Sequence, residues 1–239
     1  MPSGDPASLG CTPVRAVSSF LPDHSYLLVG GLGGIGRLVS SWMAQHGARS
    51  LVYLSRRAGE LPEHCAFIRE LEAQECEVTC VKGTVTNLAD VEKAVSSCPR
   101  PLAEIIQMAG ILRDRTLLQM TYMDWSMALA PKVTGTRHLH QMSKGLALDF
   151  FVMFGSISGT VGVGGQANYA AANYIPRRVR QIPAGEDRGQ CSSSVGIGHV
   201  ESPGAPAKYL WGLDARFGLH KDRQLGTSST GNQQGDAAH

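Results

Sequence analysis

Residues 26–36 read YLLVGGLGGIG, an apolar run that enters a glycine-rich turn. Residues 26–29 have the character of a buried strand, and residues 37–46 that of a helix opening from the turn. Gly31-x-Gly33-x-x-Gly36 therefore lies between strand and helix, the context that a dinucleotide fingerprint requires. In that reading Gly31 makes the turn, and Gly33, with Gly34 and Ile35 beside it, lets a diphosphate approach. Gly36 then allows the helix to pack closely on the strand. A tight glycine turn in some other α/β protein is the bland alternative, so the glycines need support from elsewhere in the chain.

The rest of the pattern supplies it. Apolar strand-like runs at 50–55, 77–83, 102–110 and 148–156 alternate with helical periodicity at 61–74, 88–96 and 121–143. This alternation predicts an α/β fold, a Rossmann-type doubly wound parallel sheet with helices on both faces. The 239 residues suit one domain; 43% are hydrophobic, 18% are charged and the net charge is +2. That balance gives no reason to expect nucleic acid or a membrane as partner. No stretch has the length of a membrane span or the pattern of a signal peptide, so the expected location is cytoplasmic. Six scattered cysteines read as reduced thiols, and no metal site is expected.

The second strand ends in Ser55-Arg56-Arg57, and Arg56 lies twenty residues beyond Gly36. An acidic residue there would favour NADH by binding the ribose hydroxyls, whereas Ser55 and Arg56 suit a 2′-phosphate. The cofactor expected is NADPH. Downstream, Ser156 precedes Tyr169 by thirteen residues, Asn173 follows it by four, and Lys132 precedes it by thirty-seven. A tyrosine can protonate the alkoxide left by hydride transfer, but its free pKa is near 10. A lysine ammonium about 4 Å away supplies roughly 4 kcal/mol at an effective dielectric near 20. Ser156 offers a donor for the carbonyl oxygen, and Asn173 shares a helix face with Tyr169.

These stretches resemble one family. FGSISGTVGVGGQANYAAAN (154–173), with YLLVGGLGGIG, LVYLSRR (51–57) and APKVTGT (130–136), is similar to the ketoreductase domain of polyketide synthases, especially the fungal highly reducing kind. That family belongs to the short-chain dehydrogenase/reductase superfamily, and it exchanges the usual places of lysine and asparagine, as Lys132 and Asn173 do here. The resemblance implies NADPH-dependent reduction of a β-ketoacyl thioester carried on an acyl carrier protein, beside other polyketide synthase domains. It implies Tyr169 as proton donor, Ser156 on the keto oxygen, Lys132 tuning the tyrosine and Asn173 completing a relay. Asp114, in Leu112-Arg113-Asp114, matches an acid associated with one stereochemical class of product. The expected organisation is a linker-like N-terminus (1–23), read from its Pro, Ser and Gly content, the ketoreductase domain (24–201, aberrant after 173) and a low-complexity tail (202–239), expected to be disordered from its few apolar residues. A non-catalytic remnant that at most binds NADPH, and a discrete short-chain ketone reductase, are the competing readings.

Two departures stand out. Thr84 occupies the place of an aspartate near the adenine. After Asn173, the chain reads YIPRRVRQIP (174–183) where the family has an amphipathic helix resembling TFLDAFVRYR. Back-translating those residues with permitted codons and rereading one base later yields TFLDAFVRY, so a local frameshift between about 173 and 194 is inferred. SVGIGHVE (194–201) again resembles the family's sixth strand. Proline is unfavourable inside helices, so Pro176 is expected to end the Tyr169 helix early, leaving an incomplete C-terminal part and a weakly active or inactive chain.

Overall fold

The computed structural model describes residues 20–179 and 192–197. Six parallel strands form one sheet: β1 (Ser25–Val29), β2 (Ser50–Ser55), β3 (Glu77–Lys82), β4 (Leu102–Gln107), β5 (Phe150–Ser156) and β6 (Ser192–Ile197). Their spatial order is β3-β2-β1-β4-β5-β6. The chain leaves β1 in one direction to build β2 and β3, then returns to build β4, β5 and β6. The order reverses between β1 and β4, and a crevice opens at such a point beyond the carboxyl ends of the strands.

Alternation along the central strands feeds two cores. Tyr26 and Leu28 of β1 join Leu51 and Tyr53 of β2 on one face, packed with Val39 and Met43 of α1 (Gly34–Gln45) and Phe67 and Leu71 of α2 (Pro62–Glu72). Leu27 and Val29 join Val52 and Leu54 on the other, against Val91 of α3 (Leu88–Ser96) and Leu139 of α4 (Tyr122–Met142). A strand side chain points to alternate faces, so a continuous apolar run such as SLVYLS marks a strand covered on both sides. The doubly wound architecture expected from the sequence is the one observed.

Local chemistry sets the helix ends. Asn87 caps α3 by accepting from the Ala89 N–H at 3.0 Å. Thr121 and Asp124 form a reciprocal capping box at the start of α4. Phe20, within the segment read as a lead-in, is buried and meets Tyr26 and Trp42 edge-to-face, with ring centroids 5.1 and 5.3 Å apart. No helix among the described residues is long and apolar enough to cross a membrane.

Three sequence expectations change. β4 stops at Gln107, three residues earlier than its apolar run, because Met108–Gly110 peels away to floor the crevice. A single-turn helix, α5 (Ser158–Val161), separates β5 from the next long helix. That helix, α6 (Ala167–Val179), passes through Pro176 rather than ending before it. The missing proline N–H deletes one hydrogen bond late in the helix, after the first two turns have formed. The returning strand lies at Ser192–Ile197, paired in parallel with β5. Residues 1–19, 180–191 and 198–239, including the proposed tail, lie outside the described residues.

The glycine turn gives a test of the fold. A Cβ on Gly36 would lie 2.3 Å from the Gly31 carbonyl oxygen, whereas a Cβ on Gly34 would meet nothing within 4 Å. Overpacking of this kind costs about 1–3 kcal/mol. Gly36→Ala should therefore lower the melting temperature by about 3–10 °C. Gly34→Ala, in an unobstructed helical position, should hold or raise it. Thermal denaturation of the two variants followed by circular dichroism checks the contrast.

Candidate active site

The crevice at the carboxyl ends of β1, β2, β4 and β5 has a volume of about 1650 Å³. One end is built by the glycine turn. Gly30 takes the left-handed conformation (φ +77°), and a Cβ there would lie 3.0 Å from the Ala109 backbone. The turn proper is thus made by Gly30 and not, as the spacing suggests, by Gly31. Gly31 instead lies against the Tyr53 ring, where a Cβ would come within 2.8 Å. Gly33 and Gly34 are exposed toward the crevice with no crowding neighbour.

Gly33 is the N-cap of α1, without a side-chain capping bond, and the first turn carries no acidic residue. The first intrahelical bond of the turn runs from the Arg37 N–H to the Gly33 carbonyl at 2.9 Å. The N–H groups of Gly34, Ile35 and Gly36 precede it at the positive end of the helix. Such an end is suited to an anion such as a diphosphate.

Ser55 and the exposed Arg56 line the same end of the crevice, at the carboxyl end of β2. Arg37 joins them, a residue the sequence reading passed over. Its Nε donates to the Leu32 carbonyl at 3.1 Å, and its guanidinium lies 6.0 Å from the Phe67 ring centroid. Glu63 and Glu70 of α2 face this end as well. Thr84 also lines the crevice; its hydroxyl lies 2.9 Å from that of Thr86, and its N–H donates to Asp90 at 2.8 Å. An open glycine cradle, uncapped N–H groups and a cation at the β2 terminus together fit a phosphorylated dinucleotide.

At the other end, Lys132, Ser156 and Tyr169 line one wall. Lys132 is 4% exposed, and its Nζ donates to the Phe154 carbonyl, two residues before Ser156. Burial pulls its pKa from 10.5 down to about 8. Gln107, also buried, prepares this position by donating from Nε2 to the Pro131 carbonyl at 2.8 Å. Its Oε1 accepts from the Ala109 N–H at 3.0 Å. One side chain thus joins the crevice floor to the residue before Lys132. The Ser156 hydroxyl lies 3.0 Å from that of Ser158 and accepts from the Ser158 N–H at 3.2 Å.

Asn173 is placed differently from its three companions. It is 1% exposed, does not line the crevice, and donates from Nδ2 to the Tyr169 carbonyl at 2.8 Å. Its Oδ1 has no protein partner among the described residues. It lies against Gly159, where a Cβ would approach the Asn173 Cβ to 3.0 Å. Asp114 does line the crevice, and its Oδ2 accepts from Gln166 Nε2 at 2.9 Å. Gln107 carries no motif in the sequence, and Gln166 lies in the 154–173 stretch without an assigned role; their partners become visible only in the fold.

Comparison with known proteins finds one family. The KR domain family model matches residues 24–202. The highly reducing polyketide synthase lcsB of Purpureocillium lilacinum is 49% identical over 217 residues, covering 90% of this chain and 8% of that protein. The highly reducing polyketide synthase g433 of a Fusarium species is 44% identical over 200 residues, covering 78% and 8%. Among solved structures, the first ketoreductase of the tylosin polyketide synthase superposes with a TM-score of 0.67 at 31% identity, over 79% of this chain and 41% of that one. An A1-type ketoreductase gives 0.69 at 30% identity, over 83% and 41%. The chain thus spans a small fraction of the curated relatives and less than half of these solved ones.

Lys132 predicts a pH signature. When the native pKa of a lysine is depressed, the unfolded chain holds that proton more tightly, so stability rises with pH while only the unfolded state is protonated. With a native value of about 8 and an ordinary value of 10.5, that window is pH 8 to 10.5. Below it, both states are charged and the burial penalty is fully present. Denaturant midpoints measured across this range should climb for the wild type relative to Lys132→Met, whose curve lacks this contribution.

Proposed function

The chain belongs to the ketoreductase (KR) domain family of polyketide synthases, and from that premise we propose that it reduces a β-ketoacyl thioester to a β-hydroxyacyl thioester with NADPH. The observation that carries this reading is the sharing of one crevice by the α1 glycine turn, Arg56 and the Lys132–Ser156–Tyr169 wall. NADPH, held by the α1 N–H groups and Gly33–Gly34, with Ser55 and Arg56 on its 2′-phosphate, would supply the hydride. The substrate is proposed to arrive on an acyl carrier protein within a larger synthase.

The chain's own residues then divide the work. The Ser156 hydroxyl donates to the keto oxygen and fixes the carbonyl against the wall. As negative charge develops on that oxygen, the Tyr169 phenol delivers its proton, the general-acid step. The Lys132 ammonium, shielded from water, stabilises the phenolate that remains; at low dielectric its charge acts more strongly than in solvent. Asn173 contributes through the helix, by bonding the Tyr169 carbonyl, rather than by touching substrate. Asp114, anchored by Gln166, borders the mouth on the substrate side.

Loss of NADPH absorbance in the presence of an acetoacetyl thioester tests the reading. Tyr169→Phe should lower kcat by about 10²-fold or more while NADPH binding, read by fluorescence, persists. Arg56→Ala should raise KM for NADPH by roughly tenfold or more, the scale of a charge-assisted contact, and leave KM for NADH nearly unchanged. NADPH binding without turnover would instead identify a non-catalytic remnant, and clear preference for a small free ketone a discrete reductase.

A further inference from the structure

We propose that Asn168 is the positioning residue that seats the Tyr169 phenol at the crevice wall. The inference rests on reading Tyr169 as the proton donor. Asn168 is completely buried, one residue before that tyrosine in the first turn of α6. Its amide nitrogen donates to the Arg113 carbonyl at 2.9 Å and to the Asp124 carbonyl at 3.0 Å. Its Oδ1 accepts from the N–H of Tyr169 itself at 2.8 Å.

Each of these bonds satisfies a different need. First-turn N–H groups of a helix have no intrahelical acceptor, so Asn168 supplies one to Tyr169. The other two bonds bring α6 to the loop after β4 and to the first turn of α4, the helix that carries Lys132. Two further ties run in parallel: the Arg115 N–H donates to the Gly165 carbonyl at 2.9 Å, and Gln166 donates to Asp114. Among these ties, only Asn168 also holds the backbone of the tyrosine. Both of its amide hydrogens and one oxygen lone pair are engaged, an arrangement for which no other side chain of that size has the inventory.

Aspartate separates the two halves of the role. Asn168→Asp keeps an acceptor for the Tyr169 N–H, but an ionised carboxylate would face two carbonyl oxygens. The charged residues on the segments it meets are Arg113, Asp114, Arg115 and Asp124; Asp114 is engaged by Gln166 and Asp124 by Thr121. Protonation would restore one donor. Burial raises carboxyl pKa values, so this rescue falls within a workable pH range.

The experiment compares wild type, Asn168→Ala and Asn168→Asp in the full chain. Expected are a fall in kcat of about tenfold to a hundredfold for both variants, NADPH affinity within about twofold of wild type, and at least fivefold relative recovery of Asn168→Asp as pH falls from 8 to 5.5. Unchanged kcat in Asn168→Ala overturns the proposal. Loss of NADPH binding in both variants also overturns it, since Asn168 would then support the whole fold. Absence of turnover in the wild type defeats the reductase reading instead. Amide hydrogen exchange then decides: exchange at least tenfold faster around Tyr169 in Asn168→Ala, with α1 unchanged, upholds the positioning role, and equal exchange overturns it.

Discussion

A buried ammonium held by a backbone carbonyl is the constraint on which one end of the crevice depends. Lys132 brings its charge into the interior of the fold, and Phe154 supplies the acceptor. An interior cation is costly unless it is bonded, so α4 and the end of β5 cannot move apart without exposing or orphaning it. Ser156 follows two residues after that carbonyl, and Gln107 clips the preceding residue of α4 to the floor left by β4. The lysine therefore ties α4 to the end of β5, beside the floor that Gln107 holds. The same burial weakens the lysine's hold on its proton.

The opposite half obeys a different rule, in which absence of side chains does the building. Gly31 and Gly36 are required by the protein: Tyr53 and Leu28 crowd the first, and the second lies against the carbonyl of the first. Gly33 and Gly34 are required by nothing in the protein, since added carbons there would meet no close obstacle. Two glycines close the helix onto the strand, and two leave a surface that a ligand can fill. Neighbouring glycines of one turn thus have different surroundings: close packing in one case, open space in the other.

The legibility of the chain follows the range of the interactions. Ser50–Ser55 and Leu88–Ser96 were bounded correctly from sequence because their limits are local: an apolar run stopped by two arginines, and an asparagine cap. β4 was read too long because Met108 and Ala109 are as apolar as the strand before them. Only the crossing of Gly30 over Ala109 shows where the backbone leaves the sheet. Tyr169, Ser156 and Lys132 were legible through spacing. Asn173 was legible as a helix neighbour of Tyr169, but its return to the Tyr169 carbonyl was not, since i+4 stacking does not say which atom a short amide chooses. The contacts of Gln107, Gln166 and Asn168 were invisible, because the partners of each include groups on segments that only the folded chain brings near.

Pro176 shows why a locally correct rule can miss its consequence. Proline does remove a helical donor, and the carbonyl that loses it is that of Ala172. The bonds that orient the site lie upstream. Ala170 donates to the Gln166 carbonyl at 2.8 Å, Tyr169 to Asn168, and the Asn173 side chain to the Tyr169 carbonyl. None of them uses a group at or beyond position 176. These turns also pack on α4 and α5 and sit beside β5, so tertiary contact replaces the length that an isolated helix would need. α4 tolerates Pro131 under the same protection, immediately before Lys132. The bonds on the Tyr169 backbone are therefore all made by groups that precede the divergent segment.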